Sequence, residues 1–363
     1  MGLIQEIPCE RYNLKLCLDS IIKDGGSVYQ FLLFLKIENI IADIEKDYVR
    51  TPQYHVKGML MLAIAYHFYD IGYEKTLKKL SDFDKNILNF KNNKIPSSSK
   101  LCDFVTKQLT IDKLEQIMLK VGLELYKILS SQVLIKICNF DSTPIEASRY
   151  DKYALYNPHY KIKMYKSHIM MFGSIPLFML FSDGTTHDQE PMDYFLDKIK
   201  ILSLKFEEFN LDTGYDKFEL FAKIWHYFGA KVNIAIRENA VINKNGTIKG
   251  IDKVINKHWK EGINKRMPIN KKLNFLYDKG KVKQVGAFFR NSVLQNGLGF
   301  SYKFRGHQER IHANIKKTVK FDVRYVHNKN KKLHTLWSFI SYQLFCLISM
   351  QNKLKLNKFE FLL

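Results

Sequence analysis

Three acidic residues lie where metal-dependent phosphodiester chemistry would use them, close to the ends of predicted elements. Asp141 follows a short apolar, β-branched run, Asp212 follows a second apolar run, and Glu309 lies in a predicted helix. Carboxylate oxygens are ligands for Mg²⁺, and two such ions about 4 Å apart can hold the attacking and leaving oxygens of a phosphodiester. A lone Asp at a strand-to-helix junction is more commonly an N-cap or a turn former.

Glu309 belongs to a set of four side chains with a defined spacing. Tyr302 is followed after two residues by Arg305, after three more by Glu309, and after six more by Lys316. A helix is predicted over about 307–320, and steps of four and seven would place Arg305, Glu309 and Lys316 on one helical face. A ladder of paired surface charges would give the same spacing, but it would not require the tyrosine or the two aspartates.

This spacing resembles the YREK signature of a large group of prokaryotic insertion-sequence transposases of the DDE type. The segment FDSTPIEA around Asp141 resembles the first catalytic aspartate block of that group, and LDTGYD around Asp212 resembles the second. The stretches 165–168 and 187–188 look like the intervening blocks. The resemblance covers about residues 54–348, which is most of the chain.

The resemblance implies an enzyme that binds the terminal inverted repeats of an insertion sequence. It would cleave one strand at each element end and join the freed 3′-hydroxyl to target DNA, as a homodimer assembled on DNA. Asp141, Asp212 and Glu309 are implied to be the catalytic residues and to bind Mg²⁺, as two ions for which Mn²⁺ can substitute. The residues implied to contact DNA near the transferred strand end are Tyr302, Arg305 and Lys316.

The elements predicted after residue 131 indicate a ribonuclease-H-like α/β fold, a mixed sheet flanked by helices. Their order is strand, strand, strand, helix, strand, helix, strand. The strands are predicted at 133–140, 167–173, 175–181, a segment ending near 211, and 231–237, and the helices at 191–206 and 217–228. Pro144 is expected to stop the first strand, which would place Asp141 at the mouth of the sheet. Asp216 is predicted to cap the helix after Asp212.

The segment 238–300 is less regular and is predicted to be an insertion before the last catalytic helix. Its weak apolar patterns at 273–277 and 283–289 predict strands. The catalytic domain, 131–350, would end with the apolar run 333–350, whose polar residues and limited length favour a buried helix over a membrane span. A basic tail, 351–363, follows.

Residues 1–130 are predicted to form an all-helical DNA-binding region, with helices at about 54–72, 74–80, 81–88 and 100–108. Lys78 and Lys79 lie on short helices joined by tight turns, as in a helix-turn-helix. An ordinary helical bundle with a solvated basic face explains the same pattern.

Two further features have two interpretations each. Lys163 and Lys166, with His168 nearby, would approach the DNA backbone, or would protect a solvated strand edge from aggregation. The pair His187-Asp188 would support the metal ions, or Asp188 would cap the next helix.

The composition indicates a nucleic-acid partner. Lys and Arg total 57 against 36 Asp and Glu, and the resulting net charge of +21 would attract a polyanion. A low-GC genome, which enriches Lys and Asn together, would explain part of this excess. Five widely spaced cysteines without a CxxC pair are typical of reduced thiols, and residues 1–19 lack the uninterrupted apolar stretch of a signal peptide. We therefore expect a cytoplasmic, nucleoid-associated protein with no membrane partner.

Three alternative functions use the same features. A stand-alone ribonuclease-H-like nuclease would hydrolyse DNA without joining it. A domesticated, transposase-derived DNA-binding protein would need no catalysis and would tolerate loss of the acids. A general RNA-binding protein is supported by charge alone.

Overall fold

The chain divides into two units in the computed structural model, which describes residues 22, 26–47, 54–173, 175–257, 267–319 and 328–352. The first unit comprises residues 1–134, 142–186 and 307–363, and the second comprises residues 135–141 and 187–306. Nearly all of the predicted basic tail, together with Cys9 and Cys17, lies outside the described residues.

The described N-terminal part of the first unit is helical, as predicted. Its helices are α1 (Val28–Leu33), α2 (Glu38–Asp47), α3 (Val56–Tyr69), α4 (Tyr73–Lys78), α5 (Asp82–Leu88), α6 (Ser98–Asp103) and α7 (Ile111–Ser130). Helix α3 is apolar on all sides and almost entirely buried. It ends at Asp70 in the left-handed conformation, so Gly72 does not terminate it but precedes α4. Helix α7, with 20 residues, was not predicted.

The apolar C-terminal run forms helix α14 (Asn328–Asn352). Its segment Lys329–Gln351 has the length and composition of a membrane span, but its apolar window is wholly buried within the protein. The helix packs against α7 and α3, and Trp337 Nε1 donates a hydrogen bond to the carbonyl of Val105 at 3.0 Å. The burial confirms the predicted core helix.

Three strands of the first unit form an antiparallel layer: β2 (Leu155–Asn157), β3 (Ile162–Phe172) and β4 (Ile175–Asp183). Strand β3 pairs antiparallel with both β2 and β4. Helix α7 lies so close to β4 that a Cβ at Gly122 would be 2.3 Å from the carbonyl oxygen of Leu177. Only glycine fits this crossing.

The second unit contains the parallel part of the sheet. Strand β1 (Ile137–Glu146) begins there and continues into the first unit, and it is followed in the second unit by α8 (Glu190–Ile201), β5 (Glu208–Leu211), α9 (Phe218–Phe228) and β6 (Lys231–Ile234). Strand β5 pairs parallel with β1 and with β6. The strand order is β2-β3-β1-β5-β6, with β4 also on β3. This mixed α/β sheet is compatible with a ribonuclease-H-like domain.

The two strands predicted between residues 273 and 289 are wrong, because that segment is helical. Its helices are α10 (Ile248–Lys257), α11 (Ile269–Asp278) and α12 (Val282–Asn296). Leu273 and Leu276, three residues apart, are both fully buried in a core shared with Ile251 and Val285. A three-residue step brings two side chains to one face of a helix, whereas in a strand it would send them to opposite faces.

Strand β1 does not stop at Asp141, contrary to prediction. It runs on to Glu146 and includes Pro144. Pairing with β5 covers only Ile137 to Asn139, so the following residues are not held in that parallel ladder. Asp141 therefore lies inside a strand, beyond the end of its pairing with β5.

Candidate active site

Two of the predicted acids lie just beyond the paired part of β1 and β5. Asn139 is the last residue of β1 paired with β5, and its partner is Asn210. Asp141 and Asp212 each follow their member of that last pair by two residues, and the charges of both act on Tyr215 and Tyr302. Both aspartates belong to the second unit.

Asp212 follows β5 directly, as predicted, and makes two contacts. Its Oδ1 accepts a hydrogen bond from the backbone N–H of Thr213 at 2.5 Å, which caps the short 3₁₀ turn Thr213–Tyr215. Its Oδ2 lies 2.9 Å from a terminal nitrogen of Arg305. The side chain is 43% exposed, so solvent still reaches the carboxylate.

The negative charge of this region affects the pKa of two tyrosines. Burial raises the pKa of Tyr215 well above its ordinary value, and the charges of Asp188, Asp141 and Asp212 raise it further. Burial also raises the pKa of Tyr302; the neighbouring Arg305 opposes this rise, and the charges of Asp212 and Asp141 add to it. Both hydroxyls consequently remain protonated hydrogen-bond donors at neutral pH.

Asp188 lies beside the same turn. A Cβ atom placed on Gly214 would lie 3.5 Å from Asp188 Oδ2. The neighbouring Gln189 donates a hydrogen bond from Nε2 to the carbonyl of Gly214 at 2.9 Å. The N-cap of α8 is Gln189, without a side-chain cap bond. Asp188 therefore does not cap α8, which excludes one of its two interpretations, and its support of the metal ions stays a prediction.

A buried polar network holds the 3₁₀ turn Phe300–Gly306, which carries Tyr302 and Arg305, against β5 and β6. Asn210 Nδ2 donates to the carbonyl of Ser301 at 3.2 Å, and the Ser301 hydroxyl donates to the Glu208 carboxylate. Asn233 on β6 joins the same cluster. The sequence prediction missed these residues, although a buried Asn in an apolar strand was a usable signal.

Asp216 does not cap the next helix, contrary to prediction. Lys217 is the N-cap residue of α9, without a side-chain cap bond. Asp216 instead forms a bidentate ion pair with Arg290, at 2.6 and 2.7 Å. The pair is largely buried and joins the start of α9 to α12.

Arg305 is not on the helix that carries Glu309. Helix α13 (His307–Thr318) begins after Gly306, so the predicted common face with Arg305 is wrong. Exposed Glu309 and half-buried Lys316 lie on α13 in the first unit, whereas Tyr302 and Arg305 lie in the second. Lys316 Nζ donates to the carbonyl of Pro144 at 3.0 Å. Convergence of Glu309 with the two aspartates stays a prediction.

The other predicted DNA-binding lysines have partners within the protein. Lys163 Nζ donates to the carbonyl of Asp151 at 3.1 Å, and the largely buried Lys166 donates to that of Thr186 at 3.0 Å. Strand β3 lies inside the sheet, so the alternative of a solvated strand edge is wrong.

Two lysines of the N-terminal helices also have neighbours. Lys78 Nζ lies 2.6 Å from Glu74, and Lys79 Nζ lies 4.8 Å from the ring centre of Tyr69. Contacts of all four lysines with DNA remain predictions.

The donor chemistry of Asp141 and Asp212 suits a hard divalent cation, because carboxylate oxygens are the preferred ligands of Mg²⁺. Within the described residues, no group of three or more His, Cys, Asp or Glu side chains is already arranged to hold a metal ion. Arg305 supplies the positive charge next to Asp212.

Comparison with known proteins identifies the family of this chain. A family model described as transposase DDE domain matches residues 135–344, more than half of the chain. No curated protein and no solved structure matches the chain significantly. The match includes Asp141, Asp212 and Glu309, and the chain belongs to the transposase DDE domain family.

Proposed function

We propose that this protein binds the terminal inverted repeats of an insertion sequence, cleaves one DNA strand at each end and transfers the freed 3′-hydroxyl to target DNA. The observation that carries the proposal is the pair Asp141 and Asp212, which lie two residues past the last β1–β5 pair and both act electrostatically on Tyr215, in a chain of this family. DNA is the partner that the family implies, and a net charge of +21 favours it.

Asp141 and Asp212 would hold Mg²⁺ or Mn²⁺, and Glu309 is proposed as the third ligand on the basis of its YREK spacing. The bound ions would polarise the phosphodiester and activate a water or 3′-hydroxyl nucleophile. In the described structure the Asp212 carboxylate is oriented by the Thr213 N–H and by Arg305. Solvent access to Asp212 leaves room for a ligand.

Arg305 and Tyr302 are proposed to bind the DNA strand next to the acids. Within the described residues, the buried Nε of Arg305 makes no hydrogen bond, while a terminal nitrogen contacts Asp212. The side chain is 22% exposed, and the exposed part of the guanidinium is proposed to bind a phosphate while Arg305 keeps its contact with Asp212. The Tyr302 hydroxyl, which stays protonated, would donate to a phosphate oxygen. Lys316 would contribute a further positive charge once released from Pro144.

The experiment uses a duplex that carries the inverted repeat flanking the reading frame. We expect Asp141→Asn, Asp212→Asn and Glu309→Gln each to abolish Mg²⁺-dependent cleavage while binding of the duplex remains near wild type. The matched control is Asp193→Asn, an exposed aspartate on α8 that pairs with Lys223, and it should cleave normally.

The outcomes separate the alternatives. Wild-type cleavage by any one of the three acid variants would remove that acid from the proposed site. Binding without metal-dependent cleavage by the wild-type chain would instead indicate the domesticated DNA-binding protein.

A further inference from the structure

The segment that joins β1 to β3 exposes four tyrosines within eleven residues. Tyr150, Tyr153, Tyr156 and Tyr160 have 66, 60, 56 and 42% of their surface exposed. Large aromatic side chains are usually buried, and a cluster of exposed ones marks a binding surface. We refer to these four residues together as the tyrosine platform. No residue of the proposed active site lies in it.

The first half of the platform is fixed by a buried aspartate. Asp151 is fully buried, and its Oδ1 accepts hydrogen bonds from the backbone N–H groups of Tyr153, at 2.9 Å, and Ala154, at 3.2 Å. Its Oδ2 accepts from the Tyr165 hydroxyl at 3.2 Å and is paired with the buried Lys331. The backbone that presents Tyr153 is thereby tied to the core of the first unit.

The second half is fixed by a buried asparagine. Asn157 Oδ1 accepts from the backbone N–H groups of His159, at 2.9 Å, and Tyr160, at 3.2 Å. Its Nδ2 donates to the carbonyl of Gly184 at 2.7 Å, and its own carbonyl accepts from Lys161 at 2.8 Å. The platform is therefore preorganised, so a ligand would not have to order the loop when it binds.

The charge around the platform is positive. Arg149, Lys152 and Lys161 are exposed, and the only acid between residues 148 and 163 is the buried, paired Asp151. The Arg149 guanidinium lies 4.7 Å from the ring centre of Tyr150. Exposed aromatic rings interleaved with cations combine stacking surfaces for bases with charges for phosphates.

We propose that the tyrosine platform binds unpaired DNA, with its rings stacked on bases and the three cations on the backbone. Intact duplex hides the faces of its internal bases, whereas a single strand presents them. Stacking of this kind tolerates any sequence. The inference rests on the proposed function, because strand cleavage and transfer expose unpaired bases at the reacting ends.

The test measures binding of a fluorescein-labelled oligothymidylate and of a blunt duplex, without divalent metal so that no strand is cut. Tyr153→Ala and Tyr156→Ala should each weaken oligothymidylate binding about fivefold or more, and should change blunt-duplex binding less than twofold. Tyr153→Phe and Tyr156→Phe, which keep the ring, should bind like wild type. The matched control is Tyr227→Ala, a similarly exposed tyrosine in the second unit.

A direct measurement on the wild-type protein complements the variants. An oligonucleotide containing 2-aminopurine should lose fluorescence on binding, because stacking on a tyrosine ring quenches the base, and the Ala variants should reduce that loss. Asp141→Asn should bind the oligonucleotide normally. A failure of the catalytic proposal would therefore not change the binding result, and the two failures can be told apart.

Three results would overturn the proposal. They are unchanged oligothymidylate binding by both Ala variants, equal weakening of single-strand and duplex binding, or a change in self-association with no change in DNA binding. The last result would identify the platform as a contact with a second copy of the chain.

Discussion

Removing the Asn233 side chain should detach the turn that carries Tyr302 and Arg305. Asn233 is buried and contacts four polar groups in the second unit. Its Nδ2, whose two hydrogens are shared among three acceptors, lies 3.1 Å from Glu208, 2.9 Å from Asn210 and 3.3 Å from Ser301, and its Oδ1 accepts from the backbone N–H of Gly299 at 3.1 Å. Asn233→Ala removes all of these contacts.

The magnitude follows from the number of bonds and their burial. A buried hydrogen bond contributes about 1 kcal/mol net to folding stability. A buried polar group that loses its hydrogen-bond partner costs about 1 to 3 kcal/mol when water cannot replace the bond. Gly299 is partly exposed, which allows some compensation. We therefore expect Asn233→Ala to lower the free energy of unfolding by about 2 to 4 kcal/mol.

The assay combines urea unfolding with hydrogen exchange of the amides in 299–306. Protection in that segment should fall more than elsewhere in the second unit, and cleavage should fall with it. Asn274→Ala removes an exposed asparagine that contacts His226, and it serves as the control. A loss of stability below about 0.5 kcal/mol, with unchanged protection at 299–306, would refute the positioning role.

Three further predictions concern single side chains. Arg305→Lys should weaken binding of the element-end duplex but keep its salt dependence, because the charge remains and the planar fork is lost; salt titration checks this, and an unchanged affinity would contradict it. Asp216→Ala should destabilise the protein by about 3 to 5 kcal/mol in urea, because it leaves the Arg290 charge largely buried and unpaired; near-wild-type stability would show that solvent reaches that charge. Burial raises the pKa of Tyr215, so just above pH 10, its ordinary pKa, the unfolded chain ionises this group while the folded chain does not. The contribution of Tyr215 to folding stability is therefore fully present below pH 10 and declines as the pH rises above that value. Tyr215→Phe should flatten the profile of folding stability against pH between about pH 9 and 11, and identical profiles for the two proteins would exclude the effect.

The sequence was most informative where local chemistry decides the structure. The apolar run before Asp212 forms β5, the Ser81 cap begins α5, and α13 starts close to residue 307 as predicted. These features depend on neighbouring residues, so spacing and turn chemistry were sufficient.

Long-range partners explain the main errors. Asp216 is a plausible cap until Arg290, 74 residues away, is brought next to it. Asp141 lies within β1 because that strand continues beyond the last residue that pairs with β5. The sequence of one strand does not show how many of its residues pair with a neighbouring strand. The 273–289 segment illustrates a different limit, since short apolar runs do not distinguish a strand from a helix.

The central claim is that this protein joins DNA as well as cutting it, and a strand-transfer reaction tests that most directly. A pre-cleaved duplex with the inverted repeat and a free 3′-hydroxyl is incubated with a circular plasmid and Mg²⁺. We predict covalent joining of the labelled 3′ end by the wild type and the Asp193→Asn control, and none by Asp141→Asn or Asp212→Asn. Joining by either variant, or plasmid hydrolysis without joining by the wild type, would contradict the proposed function.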